Sequence, residues 1–362
     1  MYSPFRYIRD IFWKGRPIHL ALFVTRRCNA KCPFCFYLRS DEPPAGSLPE
    51  LSLEEIEKIS FSLGNLLWLA FSGGEIFLRD DLIEIARTFY RNNKPAIMLF
   101  PTNGLLPEVI LDRIETIVRS CPKSVVTLKL SVDGVGEAHD TIRNTPGSFD
   151  KTLQTYMAVS DLVDRYPNFE LGINTVFCSE NQDSMDEIID FVRELKNIRT
   201  HTISLVRGNL SDKRYGIVDT NKYLDSVRKL EENIKGGKSP VYRFRGARIK
   251  AAQDILQRRL IHQTMRENKR IIPCFAGSLN LVLTECGDVF PCELLAESFG
   301  NVRDFAYDIG KVVRSERARR VKGSIRNNTC YCTHECYFMT NILFNLQMYP
   351  TLMNEYLQLR PK

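Results

Sequence analysis

The chain has 362 residues, 44% of them hydrophobic and 26% charged, with a formal net charge of +7. That balance excludes a disordered or fibrous chain, and no apolar run reaches the roughly 18 residues needed to span a bilayer. The start of the chain has no secretion signal, so a cytoplasmic protein is expected and the sequons at Asn209 and Asn327 carry no meaning.

Taken in chain order, the first element is a short helix. Phe5, Ile8, Ile11 and Phe12 are apolar at helical spacing, with Arg6, Arg9, Asp10 and Lys14 between them. This extension, residues 1–17, either packs on the base of the next domain or lies on a membrane surface. Six strands follow: Ile18–Val24, Leu67–Phe71, Ala96–Pro101, Val125–Val132, Phe169–Phe177 and His201–Val206. Helical periodicity fills the gaps, from Ser52 onward, then Asp80–Asn93, Leu106–Arg119, Phe149–Tyr166 and Ser184–Lys196. Ser52 with Glu55, and Ser184 with Glu187, have capping-box spacing.

Repeated strand–helix units predict a parallel α/β fold. Right-handed crossovers in one direction curl such a sheet toward a barrel. Six units predict a partial (β/α)6 TIM-like barrel over residues 18–215; a doubly wound sheet is the alternative. Two helices, Thr220–Lys235 and Ala247–Arg270, make a linker region over 216–272. A small Cys-rich domain over 273–340 is expected next, opening with a hairpin of Leu279–Leu283 and Val289–Pro291. An apolar C-terminal helix, interrupted at Pro350, fills 341–362.

Eleven cysteines, an odd number without a secretion signal, favour metal or redox chemistry over a disulfide scaffold. Cys28, Cys32 and Cys35 follow the first strand with the spacing C-x3-C-x2-C. In a β/α barrel, loops after strands form the active face. Three thiolates on one loop suit a [4Fe–4S] cluster and leave the fourth iron open. Two rival readings are a thioredoxin-type pair at Cys32 and Cys35 and part of a zinc site.

With Ser72-Gly73-Gly74-Glu75 after the second strand, this loop resembles the radical S-adenosylmethionine (radical SAM) superfamily. Further motifs match in order: Thr102-Asn103-Gly104, Ser131-Val132-Asp133-Gly134, His139-Asp140-Thr141-Ile142-Arg143 and Gly147-Ser148-Phe149. The resemblance implies that Cys28, Cys32 and Cys35 hold the catalytic cluster and that Phe34 sits beside it. It implies SAM contacts at Gly73, Gly74, Glu75, Asn103, Ser131, Arg143 and Asn174.

The second cysteine group reads Cys274, Gly287-x4-Cys292, then Cys330-x-Cys332-x3-Cys336, with Cys286 before the turn glycine. It is similar to the SPASM/twitch auxiliary-cluster domains of the same superfamily. It departs from the full SPASM set, because no cysteine follows Cys336. One auxiliary [4Fe–4S] cluster is therefore expected, on Cys274, Cys292, Cys332 and Cys336 with Cys330 as a close substitute. Cys286 is expected to be spare, and a zinc site with His334 as an optional ligand is the alternative.

The resemblance implies an enzyme that reductively cleaves SAM to a 5′-deoxyadenosyl radical and removes a hydrogen atom from a substrate C–H bond. The substrate expectation is a small or anionic molecule, such as a sugar or lipid, with a ribosomal peptide or protein side chain as the alternative. A reading of another class is a non-catalytic Fe–S or zinc-binding interaction protein. The expected electron donor is of flavodoxin or ferredoxin type, and no nucleic acid is expected. Basic charge concentrates late, with ten basic against two acidic residues between Lys238 and Arg270 and eight against three between Arg303 and Arg326. The groups Arg243, Arg245, Arg248, Lys250 and Arg317, Arg319, Arg320, Lys322 are expected to steer an anionic partner to the mouth.

Overall fold

The computed structural model describes residues 1–38, 48–327 and 330–359. A 3-10 turn at Pro4–Tyr7 and a one-turn helix α1 (Arg9–Phe12) replace the single helix expected at the start. The barrel then alternates β1 (His19–Thr25), α2 (Leu53–Ser62), β2 (Trp68–Gly73), α3 (Leu82–Asn93), β3 (Ile97–Thr102), α4 (Pro107–Ser120) and β4 (Val125–Ser131). It continues through α5 (Glu137–Ile142), α6 (Ser148–Ser160), α7 (Leu162–Arg165), β5 (Phe169–Phe177), α8 (Met185–Glu194) and β6 (Thr200–Leu205). The C-terminal third holds α9 (Thr220–Lys235), α10 (Ala247–Glu267), β7 (Asn280–Leu283), β8 (Asp288–Phe290) and β9 (Gly300–Asn301). Four helices end the chain: α11 (Ile309–Arg314), α12 (Glu316–Arg326), α13 (Glu335–Leu343) and α14 (Tyr349–Gln358).

The sheet order is β6-β5-β4-β3-β2-β1-β7-β8-β9, and β1 to β6 are all parallel. Strand order never reverses within β1–β6, so the doubly wound alternative is excluded and the partial barrel stands. Period-two alternation positions the core. Leu20, Leu22 and Val24 of β1 face the helices, while Ala21 and Phe23 face the barrel interior with Val282. Both faces are covered, which is why all seven residues of β1 are buried.

Three local expectations are corrected. Ser52 and Glu55 form a true capping box, but Ser184 makes no cap and instead donates to the Asn181 carbonyl at 3.3 Å. The stretch Phe149–Tyr166 breaks into α6 and α7 at Asp161. Pro350 opens α14 rather than interrupting a helix, because a first-turn residue needs no N–H partner.

The hairpin β7–β8 was expected; its place was not. β7 adds in parallel to the free edge of β1, pairing His19 with Asn280 through Leu22 with Leu283. The second cysteine group is thereby anchored to the strand that carries the first. The opposite base of the molecule is closed by α10, whose Lys250 ammonium lies 5.8 Å from the Trp68 ring of β2.

Candidate active site

The first cysteine loop leaves the C-terminal end of β1 and is braced from below. The Glu50 carboxylate accepts from Thr25 Oγ1 at 2.8 Å and from the Arg26 amide at 2.9 Å. Buried Arg79 donates to the Val24 and Leu51 carbonyls and to Glu50 and Asp81. Neither Glu50 nor Arg79 carries a sequence signal, since all their partners but Asp81 are distant in the chain. A turn brings the Cys35 amide to the Cys32 carbonyl at 3.0 Å. Burial pushes the Cys28 thiol up to about 11 and also raises Cys32.

Gly73 and Gly74 are needed for close approach, but to protein backbone. The Gly74 amide donates to the Thr25 carbonyl at 2.8 Å, and the Glu75 amide to that of Arg27 at 2.9 Å. A Cβ on Gly73 would stand 2.4 Å from the Thr25 oxygen, and one on Gly74 2.2 Å from the Arg27 oxygen. The glycine strap is thus laced directly to the cysteine loop. Glu75 is buried and accepts three bonds, from the Phe77 amide (3.1 Å), Thr102 Oγ1 (2.9 Å) and the Asn103 amide (2.8 Å). Asn103 in turn donates to Asn29 at 2.8 Å, beside Cys28. The motifs ending β2 and β3 therefore form one hydrogen-bonded ring around the loop.

The run from Ser131 to Phe149 is equally interlocked. Arg143 is buried and donates to Asp133 at 2.6 Å. Asp133 also accepts from the Val176 amide, and its own amide donates to His139 Nδ1. Asp140 caps the Gly147-Ser148-Phe149 turn with three bonds. Ser131, at the end of β4, is the cross-strand partner of Asn174 within β5, and Asn174 accepts from Ser204 at 2.9 Å. Phe34 packs with Ile142, Cys178, Val206 and Leu210, 6.0 Å from the Arg143 guanidinium.

The second cysteine group surrounds a cavity of about 140 Å³ lined by Cys274, Cys292, Cys330 and Cys332, with Tyr337, Phe338, Leu294 and Leu295. Cys336, expected among the ligands, is not on its lining. Arg270 marks Cys330, donating to its carbonyl at 2.7 Å and to its sulfur at 3.1 Å. Cys286 faces away, with its thiol on the Leu48 carbonyl. Burial raises Cys292 to about 12 and Cys332 to about 11. Such buried thiols become thiolates only when a metal replaces the proton. Among the described residues no three His, Cys, Asp or Glu groups converge closely enough for a single metal ion. Ligands of an iron–sulfur cube need not converge so, because each takes a different iron. The donor chemistry of both sites fits iron–sulfur clusters.

A charged link that sequence did not disclose joins the two groups. Arg207, just after β6, pairs with Glu293 and Glu335 at 3.4 Å each, and its guanidinium lies 5.1 Å from the Phe36 ring beside Cys35. His334, named in the sequence only as an optional zinc ligand, is 1% exposed and bonds Glu293 through Nε2 at 2.6 Å. The only sequence hint was adjacency: Glu293 follows Cys292, and His334 and Glu335 lie between Cys332 and Cys336.

The sequence profile of the radical SAM superfamily matches residues 22–192, from β1 into α8. The chain is 27% identical over 297 residues to the AdoMet-dependent heme synthase of Methanosarcina barkeri, covering 80% of each. It is 27% identical to the antilisterial bacteriocin subtilosin biosynthesis protein AlbA of Bacillus subtilis, over 81% of this chain and 59% of that one. Among solved structures, Streptococcus suis SuiB bound to S-adenosylmethionine superposes with a TM-score of 0.60 at 14% identity, over 88% of this chain and 71% of that one. AdoMet-bound anSMEcpe gives 0.58 at 18% identity, over 94% and 96%; at such identities these two show the fold.

The chain matches the radical SAM superfamily over residues 22–192 and carries a Cys-rich C-terminal region beyond them. It is an enzyme of the kind that uses a [4Fe–4S] cluster, S-adenosylmethionine and auxiliary iron–sulfur chemistry. None of its helices, among the described residues, is long and apolar enough to cross a membrane.

Proposed function

We propose that this enzyme oxidatively functionalises a C–H bond of a small anionic substrate, with carboxylated tetrapyrroles the first class to test. Cys28, Cys32 and Cys35 would hold the catalytic cluster, and Cys274, Cys292, Cys330 and Cys332 the auxiliary one. When bound, cluster and SAM together supply a 5′-deoxyadenosyl radical that removes the substrate hydrogen atom. The chain's own part is to fix geometry and exclude water. Glu75 has a lone pair left for the SAM ammonium, Arg143 offers its unpaired edge to an anion, and Ser131 and Asn174 face the same mouth.

The observation that carries the reading is the lacing of the Gly73–Glu75 strap to the cysteine loop, which sets a carboxylate and an open thiol triad at fixed separation. The anionic substrate is supported by the loop itself. Residues 26–38 hold Arg26, Arg27 and Lys31 and no carboxylate, and Arg27 and Lys31 are exposed. The heme-synthase relative, matched over four fifths of both chains, points the same way. A peptide substrate is the second reading, favoured by AlbA and by the likeness to SuiB bound to its precursor peptide SuiA, with a TM-score of 0.59.

The test is anaerobic turnover of reconstituted enzyme with dithionite. Formation of 5′-deoxyadenosine should rise on adding a propionate-bearing tetrapyrrole, with a matching mass change in that compound. Stimulation by a peptide, and none by any carboxylated small molecule, would replace the first reading with the second.

A further inference from the structure

We propose that the base of the barrel is a docking surface for an anionic lipid membrane, formed by the first seventeen residues of the chain. This inference stands apart from the substrate reading. The segment is apolar on two sides. Tyr7 and Ile11, four apart, pack inward against Ile18, Leu67 and Ala96 at the N-terminal ends of the strands and against Phe344 at the end of α13. Phe5, Ile8 and Phe12 follow the three- and four-residue spacing of the other side. They are 40%, 52% and 70% exposed, and Trp13 is 77% exposed. A surface helix ordinarily turns polar residues to water on that side.

The segment is held, not dangling. The Tyr2 amide donates to the Lys123 carbonyl, and Arg6 donates to the Lys94 carbonyl. The Trp13 indole rests over Gly15, where a Cβ would meet it at 2.9 Å.

Charge selects the occupant. Arg9, Arg16, Lys94, Lys123 and Arg245 are exposed around the apolar side chains, and the Arg245 guanidinium lies 5.5 Å from the Phe5 ring. The segment's one acid, Asp10, is buried and paired with Arg16 at 3.4 Å. Exposed aromatics with a cationic rim and no exposed carboxylate of their own match the boundary of an anionic bilayer. The first cysteine loop lies at the opposite ends of the strands, about 20 Å away, whereas Cys274 of the second group adjoins Phe275, which packs against the segment. A docked molecule would open its active site toward water.

The test uses the whole protein with vesicles of phosphatidylcholine, alone or mixed with phosphatidylglycerol. Sedimentation should occur with the mixed vesicles only, and raising salt from about 0.1 M to about 1 M should release the protein. Tryptophan emission should shift to the blue, and Trp13→Phe should abolish the shift. Phe12→Ser with Trp13→Ser should weaken binding about tenfold or more while leaving the melting temperature unchanged, since both side chains are exposed. Equal binding to neutral and mixed vesicles, no binding to either, or full binding by the double variant would overturn the proposal. So would a dimer of the free protein that the double variant dissolves without any vesicle binding.

Discussion

A methyl group at Gly74 would have to displace the Arg27 carbonyl, which is backbone and cannot yield cheaply. Gly74→Ala should cost about 1–3 kcal/mol of stability and weaken SAM binding at least about tenfold, as isothermal titration of the reconstituted enzyme would measure. Gly323→Ala is the control. It lies in α12 with nothing within 4 Å of the added carbon, and should stabilise by about 0.5–1 kcal/mol. The auxiliary ligands give a second test at this scale. Cys330→Ala should lose the auxiliary cluster, read as about four fewer irons, while Cys336→Ala keeps it. The reverse result would restore Cys336 and remove Cys330. Motif residues were legible because their chemistry is local: three thiols, a glycine pair, a carboxylate. Their supports were not. Arg79, Arg207 and Glu293 act across chain separations that leave no spacing to read.

Strand and helix positions followed from periodicity, and each expected barrel strand lies within two residues of the observed one. Pairing was less legible. Nothing in Asn280–Leu283 announces that it will add to β1 rather than to its own hairpin alone, because a short buried strand reads the same in either place. One contact that clamps this C-terminal region to the barrel is Glu55 on α2. Arg303 donates to it at 2.7 and 3.0 Å and Tyr307 at 3.0 Å. The Arg303 hydrogen bonds, opposed by partial burial, hold the Glu55 carboxyl at about 2. A lowered carboxyl stabilises the fold above its unfolded value of about 4.3, and that contribution is lost as pH falls toward 2. Glu55→Gln should therefore cost about 1–3 kcal/mol at neutral pH. The gap in urea midpoint between wild type and variant should close between about pH 5 and pH 2. A gap constant over that range would mean the ion pair contributes nothing.

At the scale of the molecule, the two basic groups part company. Arg243 is spent on Glu170 and on the Val163 and Phe169 carbonyls, Arg248 on the Tyr356 and Leu359 carbonyls, and Lys250 on Asp254. They lie at the base of the barrel and cannot steer anything to its mouth, which corrects the expectation drawn from charge counting. Composition records how many cations a stretch holds, not which carbonyls consume them. Arg317, Arg319 and Arg320 on α12 are exposed instead, on the helix whose Ile325 lines the auxiliary cavity. If they receive an acidic electron carrier, reversing all three to Glu should flatten the salt dependence of its reduction rate, measured between about 0.1 and 1 M salt. Lys322, counted with them, is turned inward onto the Val313 carbonyl.

In the function proposed above, the loop after β1 holds the iron–sulfur cluster at which SAM is cleaved, and the C-terminal cavity holds another. Iron content and 5′-deoxyadenosine formation of the reconstituted, dithionite-reduced protein test it together. Wild type should hold about eight irons and form 5′-deoxyadenosine; the Cys28→Ala, Cys32→Ala, Cys35→Ala variant should hold about four and form none. Continued SAM cleavage by that variant, or stoichiometric zinc with no iron in the wild type, would contradict the account.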